Sequence, residues 1–234
     1  MSAWRIAAGS ICASALLIGC MADGSAATQP TAASGPPAGM AACSFGAFVQ
    51  EDDPAGLNVR STPSTAGKIL GTLPPSFEDP ANAGFKVRIE VDVHGSDDGW
   101  FHVDNARDNA QLTGKPARPV LRAAGWVSGR KLTVKSQATT GRALPDGKSA
   151  AWLSLRDGGG FDNDAMVGAG QLIACRGSWA LVEFNEAQLP ADVREQLVVA
   201  PAARAGASAG RFRAWLNRIC GVQETACDGS ADER

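Results

Sequence analysis

The fold class follows from one ten-residue stretch, Phe85-Lys86-Val87-Arg88-Ile89-Glu90-Val91-Asp92-Val93-His94. Apolar and polar side chains alternate along it with a period of two, which predicts a half-buried β-strand. Residues 95–99 supply turn chemistry, and residues 100–103 begin the next strand. Short apolar runs bounded by Gly, Pro, Ser or Asn occur elsewhere, at 57–59, 69–73, 125–127 and 132–134. This pattern predicts an all-β protein built on small antiparallel barrels.

The second half of the chain echoes the first. Three segments of the first half recur in the same order: 57–60 in 153–156, 100–103 in 179–182, and 125–127 in 214–216. Three ordered echoes indicate an internal duplication. The spacings differ between the copies, which places unequal insertions at 72–98 and 183–211. Within the second insertion, residues 190–198 are predicted to form a short amphipathic helix.

Length and charge restrict the class of protein. The chain has 234 residues, which is enough for two small β-domains. Lys and Arg total 22 and Asp and Glu total 24, so the net charge is close to zero. No basic run stands out, so the sequence carries no electrostatic footprint of a nucleic-acid partner.

The first twenty residues predict the compartment. Residues 6–18 form an uncharged run that is too short for a permanent membrane span and suits a signal peptide. The run ends in Leu17-Ile18-Gly19-Cys20, which resembles the lipobox of bacterial lipoproteins. The resemblance implies a signal peptide at 1–19 and a lipid anchor on Cys20, followed to residue 42 by a flexible tether. Met21 favours an outer-membrane location facing the periplasm. An ordinary signal peptide cleaved near Ala26 is the alternative.

Export changes the interpretation of the cysteines. Four remain after the lipidation site: Cys43, Cys175, Cys220 and Cys227. In an oxidising compartment they suggest two disulfides, for which three pairings exist. A short Cys220–Cys227 loop would leave Cys43 with Cys175. A reactive thiol or a zinc site is the alternative, but the chain has no Cys-x-x-Cys pair.

The segments that carry these patterns resemble a bacterial SH3 (SH3b) domain. The matching residues are Gly56-Leu57-Asn58-Val59-Arg60-Ser61-Thr62-Pro63-Ser64, Ile69-Leu70-Gly71-Thr72-Leu73, Gly99-Trp100-Phe101-His102-Val103 and Gly125-Trp126-Val127. The resemblance covers residues 43–135, and 149–234 are similar to a second, divergent copy after a linker at 136–148. It implies two tandem SH3-like barrels.

Residues suited to catalysis are scarce. Only His94 and His102 could serve as an imidazole base, and no nucleophile-elbow pattern is present. We therefore expect no catalytic residue, no cofactor and no resident metal. The oxygen-rich segment 157–164 could suggest calcium, but its spacing fits neither an EF-hand nor a Gly-Gly-x-Gly-x-Asp repeat, which favours a polar loop.

The resemblance directs the search for a binding site to tryptophan. Trp100 is the preferred ligand contact, with Asp97 and Asp98 in the adjoining loop, because in SH3-like barrels this Trp can line a surface groove. Packing into the barrel is the competing interpretation. The family-implied ligand is peptidoglycan or its stem peptides. Two other roles remain open: a periplasmic inhibitor or immunity lipoprotein that binds an envelope protein, and a structural subunit of an envelope assembly.

Overall fold

The computed structural model describes residues 39–78, 85–223 and 227. The predicted signal peptide, the lipidation site Cys20 and the tether as far as residue 38 lie outside the described residues. The described chain is dominated by antiparallel strands, which confirms the all-β class.

The first half forms a seven-stranded sheet and a two-stranded ribbon. Its elements are β1 (Ala41–Val49), β2 (Leu57–Arg60), β3 (Ile69–Leu73), β4 (Phe77–Glu78), β5 (Lys86–Val87), β6 (Glu90–Asp97), β7 (Trp100–Arg107), α1 (Ala110–Thr113), β8 (Gly125–Ser128) and β9 (Leu132–Thr133). The sheet order is β3-β2-β8-β7-β6-β1-β9, and β4 pairs with β5 in the ribbon.

The second half forms a six-stranded sheet with the order β12-β13-β15-β10-β11-β14. Its elements are β10 (Thr140–Arg142), β11 (Ala151–Leu155), α2 (Asp164–Ala169), β12 (Gly170–Arg176), β13 (Trp179–Asn185), α3 (Ala191–Gln196), β14 (Leu197–Val199) and β15 (Arg211–Leu216). The helix expected at 190–198 is therefore shorter, and its last residues form strand β14.

Five strands of each sheet follow one topology. The order β3-β2-β8-β7-β6 in the first half corresponds to β11-β10-β15-β13-β12 in the second. Arg60 of β2 lies opposite Trp126, and Arg142 of β10 lies opposite Trp215. The register of each hairpin also shifts immediately before that Arg. The tertiary structure thus repeats, as the sequence echoes suggested.

The sequence echo of 57–60 in 153–156 is wrong, because it aligns the two halves at different strands. The counterpart of Arg60 is Arg142, not Arg156. The Arg60 Nη1 donates to the Gly67 carbonyl at 2.9 Å, and the Arg142 Nη1 donates to the Ser149 carbonyl at 3.0 Å, seven residues on in both cases. Strand β10 lies inside the segment assigned to the linker. The two leucines of 153–156 suggested the wrong alignment, because apolar alternation is common to any buried strand.

The stretch 85–94 alternates as predicted but is not a single strand. Val87, Ile89, Val91 and Val93 are at most 1% exposed. The strand is interrupted before β6 because the Arg88 amide donates to Gln223 Oε1 at 2.7 Å. The polar face is also more buried than expected: Arg88 is 4% and Glu90 5% exposed. The Gln223 amide donates to Glu90 Oε1 at 3.1 Å, so the C-terminal segment covers this face.

The two halves share one hydrophobic core. A disulfide joins Cys43 of β1 to Cys175 of β12, with the Cα atoms 5.9 Å apart. A short parallel β-bridge lies beside the disulfide, since the Ser44 amide donates to the Gly177 carbonyl at 2.9 Å. At Gly129 a Cβ atom would overlap the Leu172 carbonyl, so the backbones of the two halves approach closely there. The second disulfide joins Cys220 to Cys227. The favoured pairing is confirmed. The closure of each sheet into an SH3-like barrel stays a prediction.

Candidate functional site

The residues that sequence analysis selected lie together at one hairpin tip. Asp98 and Gly99 connect β6 to β7 and have φ angles of +43° and +78°. Positive φ at both central residues defines the type I′ turn that Asp-Gly favours. The turn sets Asp97 opposite Trp100. Asp97 and Asp98 are exposed and Trp100 is half-buried, so all three reach solvent.

A second candidate is a cleft of about 550 Å³ between β1, β6, β7 and the C-terminal segment. We call it the charged cleft. Phe45 and Val93 contribute apolar surface, Gly221 and Val222 contribute the C-terminal wall, and the polar side chains come from Asp92, His94, Asn105 and Arg107. At about 3.4 Å per strand residue, Asp92 lies about 17 Å along β6 from Asp97, so this site is separate from the hairpin tip.

Asp92 is the centre of the hydrogen-bond network in the charged cleft. The Arg107 Nη1 and Nη2 both donate to its Oδ1 at 3.1 Å, and the Asn105 Nδ2 donates to its Oδ2 at 2.8 Å. Burial raises the pKa of Asp92, but these hydrogen bonds lower it more, so the pKa lies below its ordinary value. Asp92 therefore stays ionised, and its geometry is fixed before any ligand arrives.

Asn105 occupies the left-handed backbone region, with φ of +48°. Asn tolerates this conformation better than most residues. It lies next to Asp104 on β7, which accepts a 2.7 Å hydrogen bond from His94 Nε2. Both side chains of that pair are about two-fifths exposed. The sheet register thus sets a His–carboxylate pair beside the Asp92 network.

His102 extends this face toward the middle of the sheet. Its ring lies 5.3 Å from that of Trp126 in an edge-on arrangement. Its Nδ1 is buried and, within the described residues, has no hydrogen-bond partner. Burial lowers the pKa of His102 below its ordinary value, the neighbouring His94 lowers it further, and Asp104 partly opposes the change. His102 is therefore held as a neutral ring.

The same face of the second half has different chemistry. Leu181 stands at the position of His102, and Glu183 at that of Asp104. Glu183 is 3% exposed, accepts from Arg213 Nε at 2.7 Å and from Gln171 Nε2 at 2.9 Å. Glu183 is therefore out of reach of solvent, whereas the Asp92 side chain is 40% exposed, so this site offers less to a ligand.

The oxygen-rich loop at 157–164 has a structural explanation. In the oxygen-rich loop, Asp157 accepts from the Gly159 amide at 2.9 Å, and Asn163 caps α2 by accepting from the Met166 amide at 2.9 Å. Among the residues that the structure describes, no group of three His, Cys, Asp or Glu side chains is placed to hold a metal ion. These contacts are those of an ordinary polar loop.

His94 and Asp104 supply the imidazole and the carboxylate of a hydrolytic triad, which would also need a nucleophile hydrogen-bonded to His94. Ser44 lines the same cleft. In the described part of the chain, however, no hydrogen bond joins Ser44 to His94, and Asp104 accepts the one bond that His94 Nε2 makes.

Sequence analysis missed the charged cleft. Asp92 and Asp104 face each other across the β6–β7 hairpin. Counting outward from the Asp-Gly turn would have set Asp92 opposite Asn105, because a β-bulge between Val93 and Gly95 shifts the register by one residue. The C-terminal wall had no sequence signal either, since it reaches the cleft only through tertiary contacts.

Comparison with protein-family models, with curated proteins and with solved structures finds no match for this chain. The SH3b resemblance and the lipobox therefore stay predictions. In the described ranges, no helix has the length and apolar character needed to cross a bilayer.

Proposed function

We propose that the protein is a non-catalytic binding protein of the bacterial cell envelope, anchored through Cys20, that recognises peptidoglycan or another envelope ligand. The observation that carries the proposal is the charged cleft. Its volume of about 550 Å³ suits a small ligand. Its lining offers one carboxylate, one guanidinium and an apolar floor, which complement a short peptide with both amino and carboxylate groups.

Preorganisation supports recognition at this cleft. Asp92, Asn105 and Arg107 hold one another through hydrogen bonds of 2.8–3.1 Å. A ligand would therefore meet groups that are already ordered, which reduces the entropy lost on binding. The cleft also lies on paired strands, whose positions are more rigid than those of loops.

The disulfides support export to an oxidising compartment. Cys43–Cys175 and Cys220–Cys227 use all four cysteines that follow the predicted lipidation site. Structural disulfides persist in the periplasm or outside the cell and are rare in the cytosol. An envelope location is consistent with this usage.

The test is co-sedimentation of the full chain with purified peptidoglycan sacculi. We would compare Asp92→Asn, which removes the Asp92 carboxylate charge at nearly constant shape, with Trp100→Ala at the hairpin tip. Trp179→Ala is the matched control, because Trp179 follows the corresponding turn of the second half. Losing one charge-assisted contact is expected to weaken binding about tenfold.

Each outcome has a distinct meaning. Weakening by Asp92→Asn alone supports the charged cleft. Weakening by Trp100→Ala alone moves the site to the hairpin tip, as the sequence predicted. If the wild-type chain does not sediment with sacculi, recognition of the wall is refuted.

The alternative role is an inhibitor, an immunity lipoprotein or a structural subunit that binds an envelope protein. The observation that favours it is exposed apolar surface outside the charged cleft. Ile69 is 48%, Leu70 40%, Leu144 61% and Val198 45% exposed. Inhibition of a purified wall hydrolase by a chain that does not bind sacculi would select this role.

A further inference from the structure

The two copies of the shared topology differ at one edge. In the second half, the outer edge of β11 is covered by β14 from the insertion. Leu153, Ser154 and Leu155 lie opposite Val199, Val198 and Leu197. In the first half, the corresponding edge strand is β3, and the described part of the chain pairs it with β2 only.

The register shows which backbone groups of β3 face the open edge. The Ala200 amide donates to the Trp152 carbonyl, and the Arg156 amide donates to the Gln196 carbonyl, both at 2.9 Å. Even-numbered residues of β11 therefore direct their backbone groups toward β14. The pair Asn58–Thr72 of strands β2 and β3 corresponds to the pair Thr140–Ser154 of strands β10 and β11.

It follows that Leu70 and Thr72 are the residues of β3 that direct backbone groups outward. Among the described residues, neither makes a backbone hydrogen bond beyond the pairing with β2. Ile69 is 48% and Leu70 40% exposed. An open edge with exposed apolar side chains is one that proteins normally protect, unless it serves for docking.

The differences between β3 and β11 define what the edge would accept. Pro74 stands where Arg156 donates its amide, so an added strand would pair through Leu70 and Thr72 only. On the core side, Leu121 already fills the space beside Gly71. The added strand would therefore be short, and its apolar side chain opposite Thr72 would lie over Leu70, as neighbouring strands allow.

We infer that β3 is a docking edge for an extended segment of a partner polypeptide, which adds antiparallel to β3 as β14 adds to β11. The segment would carry a β-branched apolar residue in the place of Val198. This recognition combines main-chain hydrogen bonds with one apolar contact. It does not depend on the charged cleft, so either proposal can fail alone.

The probe is a labelled synthetic peptide with the sequence of residues 194–201, and its binding to the full chain is followed by fluorescence anisotropy. The control peptide carries Val198→Pro, which removes an amide and the β-branched side chain. In the chain, Thr72→Pro removes the outward amide while keeping the pairing with β2, and Thr72→Val retains the amide. Leu70→Lys tests the apolar contact without changing the backbone.

We expect Thr72→Pro and Leu70→Lys each to weaken binding about tenfold, and Thr72→Val to bind like the wild type. Amide hydrogen exchange should slow at Thr72 when the peptide binds, without a matching change at Ser154. Failure of the wild type to bind the peptide, or equal binding by Thr72→Pro, would overturn the inference.

Other occupants would also be revealed. If the Thr72 amide is already protected in the free monomer, a segment of this chain covers the edge and the inference is wrong. If the chain dimerises in sedimentation velocity and Thr72→Pro abolishes the dimer, the occupant is a second copy and not a partner polypeptide.

Discussion

Removal of the Cys43–Cys175 disulfide is expected to destabilise the fold much more than removal of Cys220–Cys227. The first bond closes a loop with a sequence separation of 132, and the second closes one of 7. In the chain-entropy model, the two cross-links stabilise by about 5 and about 2.4 kcal/mol at 25 °C. The double variants should therefore differ by about 2.6 kcal/mol in the free energy of unfolding.

The comparison is well matched because all four cysteine residues are buried. Cys43 is 8%, Cys175 2%, Cys220 0% and Cys227 5% exposed. Replacing each pair by Ala leaves two small cavities in either variant, and the cavity terms largely cancel. What remains is the difference in loop length.

The assay is equilibrium unfolding in urea, followed by tryptophan fluorescence. Five of the six Trp residues lie in the two halves, two in the first and three in the second, so one probe reports on the whole fold. A single transition with an unchanged slope is expected, because one core spans the two halves. Equal losses in the two variants would refute the loop-entropy reasoning. Two separate wild-type transitions would show that the halves unfold independently.

Two further predictions test the duplication and the neutral histidine. Arg60→Ala and Arg142→Ala should each destabilise the fold by about 1–2 kcal/mol in urea unfolding, because each guanidinium binds a turn carbonyl. Replacing the exposed Arg156 by Ala should change the free energy of unfolding by no more than about 0.5 kcal/mol. A larger loss for Arg156→Ala than for the other two variants would contradict the structural alignment. In the unfolded state His102 binds a proton near its ordinary pKa of 6.5, whereas the folded state lowers that pKa. The free energy of unfolding should therefore fall as the pH drops from 7.5 through 6.5. His102→Leu, which copies Leu181, should flatten that slope, and an unchanged slope would assign the pH dependence to other groups.

Recognition at the charged cleft and docking at the β3 edge would use different parts of the first half. The cleft lies on side chains of β6 and β7, whereas the edge uses the backbone of β3. The second half has the buried Glu183 in the place of Asp104 and β14 in the place of a docked strand. Among the residues that the structure describes, the edge of the second half is thus covered and the corresponding edge of the first half is not.

Local chemistry determined the strands and their turns. Alternation in residues 85–94 identified the core positions, and residues 95–99 identified a turn, which the structure centres on Asp98 and Gly99. Both follow from backbone geometry, because side chains alternate along a strand and an Asp-Gly turn accepts positive φ. The cysteine spacing likewise suggested the pairing that the structure confirms. The all-β class was therefore contained in short segments of sequence.

Only the tertiary structure decided which strands pair. Alternation does not specify a partner, and for that reason the sequence placed the echo of Arg60 at Arg156 when the fold places it at Arg142. The burial of Arg88 and Glu90, the wall of the charged cleft and the cover of β11 all come from segments distant in the chain. Such contacts are selected by packing of the whole core, which no local pattern encodes.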